Sequence, residues 1–180
     1  MIMEKVVLVD ANNRQTGAME KTEAHEKGLL HRAFSVFILD SSGQLLLQRR
    51  SSGKYHSPGL WTNTCCSHPR PGESVKNAAI RRLKEEMGIT CSLKESFTFI
   101  YKAEFDNGLT EHEFDHVLIG VTDSDPVLNP EEADSYKYID PDNLAKDIHN
   151  RPDNYTVWFR IAYPRVKRIL KEYSDKSYQL

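Results

Sequence analysis

The chain has 180 residues, 24 Lys+Arg against 26 Asp+Glu, and a net charge of −2. That length suits one domain spanning 1–180 with a core of its own, and the charge balance argues against a nucleic-acid binder driven by a broad basic field. No apolar run reaches the roughly eighteen residues of a membrane span. The opening Met-Ile-Met-Glu-Lys lacks the layout of a signal peptide, and three cysteines, two of them adjacent, do not suggest a disulfide framework, so a reducing cytoplasm is the expected location.

Taken in order, Lys5–Asp10 is a β-branched run and predicts a strand, followed by a turn over Ala11–Gly17. Lys21–Leu30 is polar and predicts a short helix stopped at Gly28; it carries Lys21 and His25, with His31 just beyond. Ala33–Leu39 and Gln44–Arg49 predict strands joined by the hairpin residues Asp40-Ser-Ser-Gly43. Arg49, Arg50 and Lys54 then form a small basic cluster in a loop with Gly53, Pro58 and Gly59. Further on, Ser96–Phe105 and Glu113–Val121 predict two strands joined through Asp106-Asn-Gly108, and Ser135–Ile139 a last one. Asp140-Pro141 is a helix start, with the helix running to about His149, and Tyr155–Tyr163 and Arg165–Tyr173 read as helical with Pro164 kinking or separating them. With no repeat or linker, the fold class expected is mixed α/β (α+β).

The stretch of densest chemistry is Cys65-Cys66-Ser67-His68, then Pro69, Pro71 and Gly72, then a helix from Ser74 to Gly88. Val75, Ala79, Leu83 and Met87, joined by Ile80, recur at helical spacing and predict a buried stripe, and Gly88 stands where a left-handed C-cap is wanted. Arg82, Glu85 and Glu86 share another face. That face is either a solvated, ion-paired surface or a site for a divalent cation and a diphosphate. The helix resembles the box of the Nudix family: Glu73, then Arg81-Arg-Leu-Lys-Glu-Glu-Met-Gly-Ile89. Ser67 stands where the family has its opening glycine and Arg82 where it has the first glutamate of its triplet. A cation at that place favours holding a diphosphate over gathering metal to hydrolyse it.

If Cys65–His68 is extended, Cys66 and His68 share a face and Cys65 points away, which makes Cys66 the candidate catalytic thiol and Cys65 a packed one. In a strand Glu111 and Glu113 also share a face, an arrangement that is costly unless the pair is solvated or bound to a cation. Three imidazoles, His25, His31 and His68, with these two carboxylates would suit a five- or six-coordinate divalent metal. His56, His112, His116 and His149 read as structural or surface histidines, and Cys91 as buried.

Along almost its whole length the chain is similar to the type 1 isopentenyl-diphosphate isomerases. The pieces that carry the resemblance include Leu30-His-Arg-Ala-Phe-Ser35, Pro58-Gly-Leu-Trp-Thr-Asn63, Cys66-Ser-His-Pro69, Arg81-Arg82 and Glu111-His-Glu113. It implies a Nudix-like mixed β-sheet core flanked by helices. It also implies that His25, His31, His68, Glu111 and Glu113 bind one metal (Mn²⁺, Zn²⁺ or Mg²⁺), and that Glu86 and the backbone of Cys66 hold a Mg²⁺ on the substrate diphosphate. Lys21, Arg50, Lys54 and Arg82 match cations that contact the diphosphate. The activity implied is isomerisation of isopentenyl diphosphate to dimethylallyl diphosphate through a tertiary carbocation. Cys66 and Glu113 would be the acid/base pair, Tyr101 would assist proton delivery, and Trp158 would face the cation. Trp158 and Tyr101 read equally as core aromatics from sequence alone. The partners expected are a small allylic or homoallylic diphosphate, no nucleic acid and no membrane, with the chain a monomer or homodimer. A Nudix hydrolase would prefer a glutamate at Arg82 and would not need the Cys66 and Glu113 pair. A non-catalytic metal-binding domain would leave Cys66 and Tyr101 without purpose.

Overall fold

The structure, a computed structural model, describes residues 4–54 and 56–174. β1 (Lys5–Val9) pairs antiparallel with β2 (Gln15–Glu20). The turn between them is tighter than the sequence suggests. The Asp10 carboxylate accepts from the Asn12 and Arg14 amides at 2.9 Å, and Asn13 takes a left-handed conformation at φ 62°. The chain is therefore extended again at Gln15, before Gly17. Most of β2 is exposed or half-buried and has no apolar alternation, so nothing in its sequence marks it as a strand.

Helix α1 (Lys21–Glu26) is capped by the Glu20 carboxylate, and Gly28 at φ 59° ends the segment as read from the sequence. β3 (His31–Leu39) starts earlier than the apolar run suggests and so includes His31. It is the central strand. β8 (Thr110–Val121) lies parallel to it from His31↔Glu113 to Leu39↔Val121. β7 (Leu93–Glu104) pairs antiparallel with β8, and the short β6 (Cys65–Ser67) pairs with β3 at Ser35↔Cys66. β4 (Leu45–Arg50) meets β5 (Trp61–Thr62) and β9 (Ala133–Ile139).

Two apolar layers follow from strand parity. Phe34, Val36, Ile38, Leu46 and Leu118 face helix α2 (Val75–Met87) on one side, where Cys65 is fully buried among them. On the other side Phe37, Leu39, Leu45, Leu47, Val117 and Ile119 pack against α3 (Pro141–Asn150) and α4 (Val157–Ser174). The expected mixed sheet flanked by helices is the architecture found. In α2 the Ser74 hydroxyl accepts from the Asn77 amide and Gly88, at φ 68°, closes the helix onto the Lys84 carbonyl. Leu83, Ala79 and Met87 are buried as expected; Val75 and Ile80 are only half so, and Cys91 is half-buried. Of the two expectations for Pro164, kinking or separating the C-terminal helical segments, separation is corrected, because α4 runs through it. Pro164 is exposed, so the Arg160 carbonyl left without its helical donor lies on the solvent side, where water can satisfy it.

Candidate active site

Sheet register assembles the site. The parallel pairing sets His31 beside Glu113, the hairpin sets Tyr101 opposite Glu113, and β6 brings Cys66 to β3. His25, His31, His68 and Glu113 are all buried, and each offers one ligand atom within 4.8 Å of the others. His31 Nε2 stands 3.2 Å from His68 Nε2, which is 2.8 Å from Glu113 Oε1. His25 Nδ1 donates to the Lys21 carbonyl at 2.7 Å and His31 Nδ1 to the Leu29 carbonyl at 2.8 Å. Those bonds fix the tautomers and leave each Nε2 lone pair for the cluster, as backbone partners of metal-binding histidines do. Burial also lowers the His25 pKa, and lowers that of His68 to about 4. Neutral imidazoles converging on a carboxylate fit a divalent metal.

Glu111, expected in the same set, lies beside it. Its carboxylate accepts from Tyr101 Oη at 2.9 Å and sits 3.3 Å from His56 Nε2, whereas Glu113 accepts from the same Tyr101 hydroxyl at 2.6 Å. The two carboxylates do share a face, and both are buried. Burial and the charge of Glu113 push Glu111 well above the usual carboxylate range. Burial opposes ionisation of Glu113 too, but the hydrogen bond from His68 and the nearby His31 imidazole outweigh it and hold Glu113 well below that range. One neutral and one ionised carboxyl is how two such groups coexist without a cation between them. Asp115, next on that face, is buried as well and accepts from the Ser35 hydroxyl at 2.7 Å.

A cavity, partly open to solvent, lies over this cluster and is lined by Cys66, Tyr101, Glu113 and Trp158 among others. Cys66 reaches it while Cys65 faces α2, as alternation along a strand requires. Burial pushes the Cys66 thiol well up, so it stays protonated at neutral pH. Trp158 is buried, its Nε1 is 3.3 Å from Asn63 Oδ1, and the Arg50 guanidinium lies 5.3 Å from its ring centroid. Of the two alternatives left for His56, structural or surface, the structure shows a buried histidine that walls the site: it is 7% exposed, edge-on to Trp158 and stacked on Phe105. Nothing in the sequence around His56 pairs it with Glu111, because the contact arises only when the loop after β4 folds over β8.

The other end of the cavity is a charged cradle. Lys21, Arg50, Lys54 and Arg82, the expected diphosphate cations, all line it, as does Glu86. Glu86 is 3% exposed, which excludes a merely solvated face for this part of α2; Glu85 does lie in solvent. Arg82 Nη2 donates to Glu86 Oε1 at 2.8 Å and Gln48 Nε2 to Glu86 Oε2 at 3.0 Å. Lys21 pairs with Glu4 at 3.1 Å. Glu132, which no motif marked, bonds Lys54 and, at 2.9 Å, Arg82 Nη2. Burial works to raise its pKa, but hydrogen bonds from Lys54 and Arg82 hold it at about 2. The Nε atoms of Arg50 and Arg82 are buried without a hydrogen-bond partner among the described residues, unmet donors that an anion would satisfy.

Comparisons with known proteins bear on the family and the fold. The NUDIX domain family matches residues 29–159. The isopentenyl-diphosphate Delta-isomerase 2 of Aromatoleum aromaticum is 52% identical over 91% of this chain and 86% of its own. The isopentenyl-diphosphate Delta-isomerase of Pectobacterium atrosepticum is 52% identical over 92% and 93%. Among solved structures, a Deinococcus radiodurans protein superposes with a TM-score of 0.68 at 23% identity, over 82% of this chain and 90% of that one. A MutT protein of Methanosarcina mazei superposes at 0.64 and 21% identity, over 77% and 94%. At those identities the structures speak to the fold alone.

Proposed function

This chain belongs to the isopentenyl-diphosphate isomerases of the Nudix family and converts isopentenyl diphosphate to dimethylallyl diphosphate, and we propose that Cys66 and Glu113 are its proton-transfer pair. The observation that supports this assignment is their convergence, with Tyr101, on one cavity whose other end carries four cations. The reaction adds a proton to the terminal alkene carbon, forms a tertiary carbocation, and removes a proton from the allylic carbon. An unactivated alkene is a poor base, so the acid has to be positioned in a dry pocket. Cys66 is held as a thiol and Glu113 as a carboxylate, so between them the pair carries one transferable proton, which is what a net isomerisation needs. Tyr101, hydrogen-bonded to Glu113 at 2.6 Å, is placed to pass a proton to it or orient it. The Trp158 ring would stabilise the cation by roughly 0.5–2 kcal/mol.

His25, His31, His68 and Glu113 would hold a divalent metal, Mn²⁺, Zn²⁺ or Mg²⁺, with Glu111 turning in from Tyr101 and His56 as a fifth ligand. That metal would supply positive charge there, which would favour the ionised carboxylates of Glu113 and Glu111. A Mg²⁺ on the diphosphate would be held by Glu86 and the Cys66 backbone carbonyl, while Lys21, Arg50, Lys54 and Arg82 bind the phosphate oxygens. Among the described residues no helix is long and apolar enough to cross a membrane. Free cysteines suit a reducing cytoplasm, which is our reading of its location, with residues 1–180 acting as one catalytic domain.

The test is incubation with isopentenyl diphosphate and Mg²⁺ in D₂O, followed by NMR. Wild type should yield deuterated dimethylallyl diphosphate. Cys66→Ala and Glu113→Gln should yield none while keeping the native circular dichroism spectrum. Wild-type-like turnover in either variant removes that residue from the mechanism, and release of phosphate or isopentenol would point to hydrolysis.

A further inference from the structure

The cradle holds an anion of its own. Arg82 Nη2 is shared between Glu86 Oε1 at 2.8 Å and Glu132 Oε1 at 2.9 Å, so the two carboxylates lie within two hydrogen-bond lengths of each other. Glu132 also bonds Lys54. The Ser51 amide donates to the Glu132 carbonyl at 3.0 Å, which ties the loop carrying Lys54 to the turn carrying Glu132. Both side chains of the Lys54–Glu132 pair are mostly buried and both line the cavity. Two of the four groups expected to grip a diphosphate, Lys54 and Arg82, are therefore bonded to a carboxylate that the substrate has to share them with or displace. A bare diphosphate also meets the like charges of Glu86 and Glu132. A diphosphate that brings a divalent cation reverses that repulsion, because carboxylates bind hard cations.

We propose that Glu132 is the residue that makes the cradle selective for the divalent-cation complex of a diphosphate: it competes with bare diphosphate for Lys54 and Arg82, and with Glu86 it draws the cation. This rests on the diphosphate-binding role assigned to the cradle above. Glu132 is a binding residue here and has no part in proton transfer.

The probe is inorganic diphosphate, titrated calorimetrically with excess Mg²⁺ or with EDTA. Wild type should favour the Mg²⁺ complex. In Glu132→Gln the metal-free affinity should rise by about tenfold and the preference for the Mg²⁺ complex should shrink by at least that factor, since a competing charge is gone and one donor to the cation is lost. Glu132→Asp should recover part of the preference. Glu131→Gln removes the same charge from the exposed neighbouring residue and should keep the wild-type ratio. A purely structural role would weaken both forms together, and that result, or an unchanged ratio, overturns the proposal. Turnover of isopentenyl diphosphate by the wild type is followed in parallel. Its loss would strike at the proposed function, whereas an unchanged ratio with turnover intact strikes only at Glu132.

Discussion

Arg82 bears on both stability and binding because three carboxylates, Glu85, Glu86 and Glu132, bond to one guanidinium. Glu86 is the costly one. It is 3% exposed, and burial raises its pKa, although the charge of Arg82 and the hydrogen bond from Gln48 work against that. Removing Arg82 leaves a buried carboxylate without its counter-charge, so Arg82→Ala should lose about 3 kcal/mol in urea unfolding. The exposed partner Glu85 should contribute little, and a Glu85→Gln variant with a comparable loss would contradict this ordering.

At the scale of the element, α2 depends on how it ends. Gly88 adopts φ 68°, and a Cβ built there would meet Val127 Cβ at 2.8 Å and its carbonyl oxygen at 2.9 Å. A left-handed cap alone would tolerate asparagine, but here any side chain strikes the backbone of the segment leading to Glu132. Gly88→Ala and Gly88→Asn should therefore both destabilise, by about 2 kcal/mol, with asparagine no better than alanine. Thermal unfolding of the two variants checks this, and a milder asparagine variant would show that φ, and not the close approach, sets the cost.

Part of the stability of the whole molecule is acid-sensitive, because some groups have a depressed folded pKa. His68 sits at about 4 and His56 at about 3, against an ordinary 6.5, both because burial disfavours the imidazolium. The unfolded chain binds more protons in that window. Their contribution is therefore complete above pH 6.5 and is lost as pH falls through about 4 and then about 3. Glu132, at about 2 against 4.5, adds a contribution that is complete above pH 4.5 and lost as pH falls towards 2. Glu86 and Glu111, whose folded pKa is raised, work in the opposite direction, so the test is a difference: in EDTA-treated protein a His56→Gln variant should lose less of its urea midpoint than wild type as pH falls from 7 to 4. At pH 7.5, Mn²⁺ or Zn²⁺ at about a hundred times its Kd should add about 2.7 kcal/mol. That gain should shrink towards pH 5, as protons compete for the imidazoles. A metal-insensitive midpoint at pH 7.5 would remove the metal site.

Strand parity, readable along a single segment, separates Cys66 from Cys65 and puts Glu111 and Glu113 on one face. The cap Gly88 and the stop at Gly28 are legible for the same reason: each depends on residues a few positions apart. The histidines proposed as ligands are far apart in the chain, and their grouping was legible only through the family resemblance. The contact of Glu132 with Lys54 and Arg82 spans distant segments, as does that of His56 with Glu111. Those pairs exist only because β4 carries its loop past β9 and over β8, and no local pattern encodes which loop meets which strand. The sequence by itself determined most of the elements, though not β2, and through its resemblance the family and the acid/base candidates. Tertiary structure decided that Glu111 meets Tyr101 and His56 while Glu113 meets Tyr101 and His68, that α4 runs through Pro164, and that the cradle carries its own anion, because these follow from packing between distant segments and from burial.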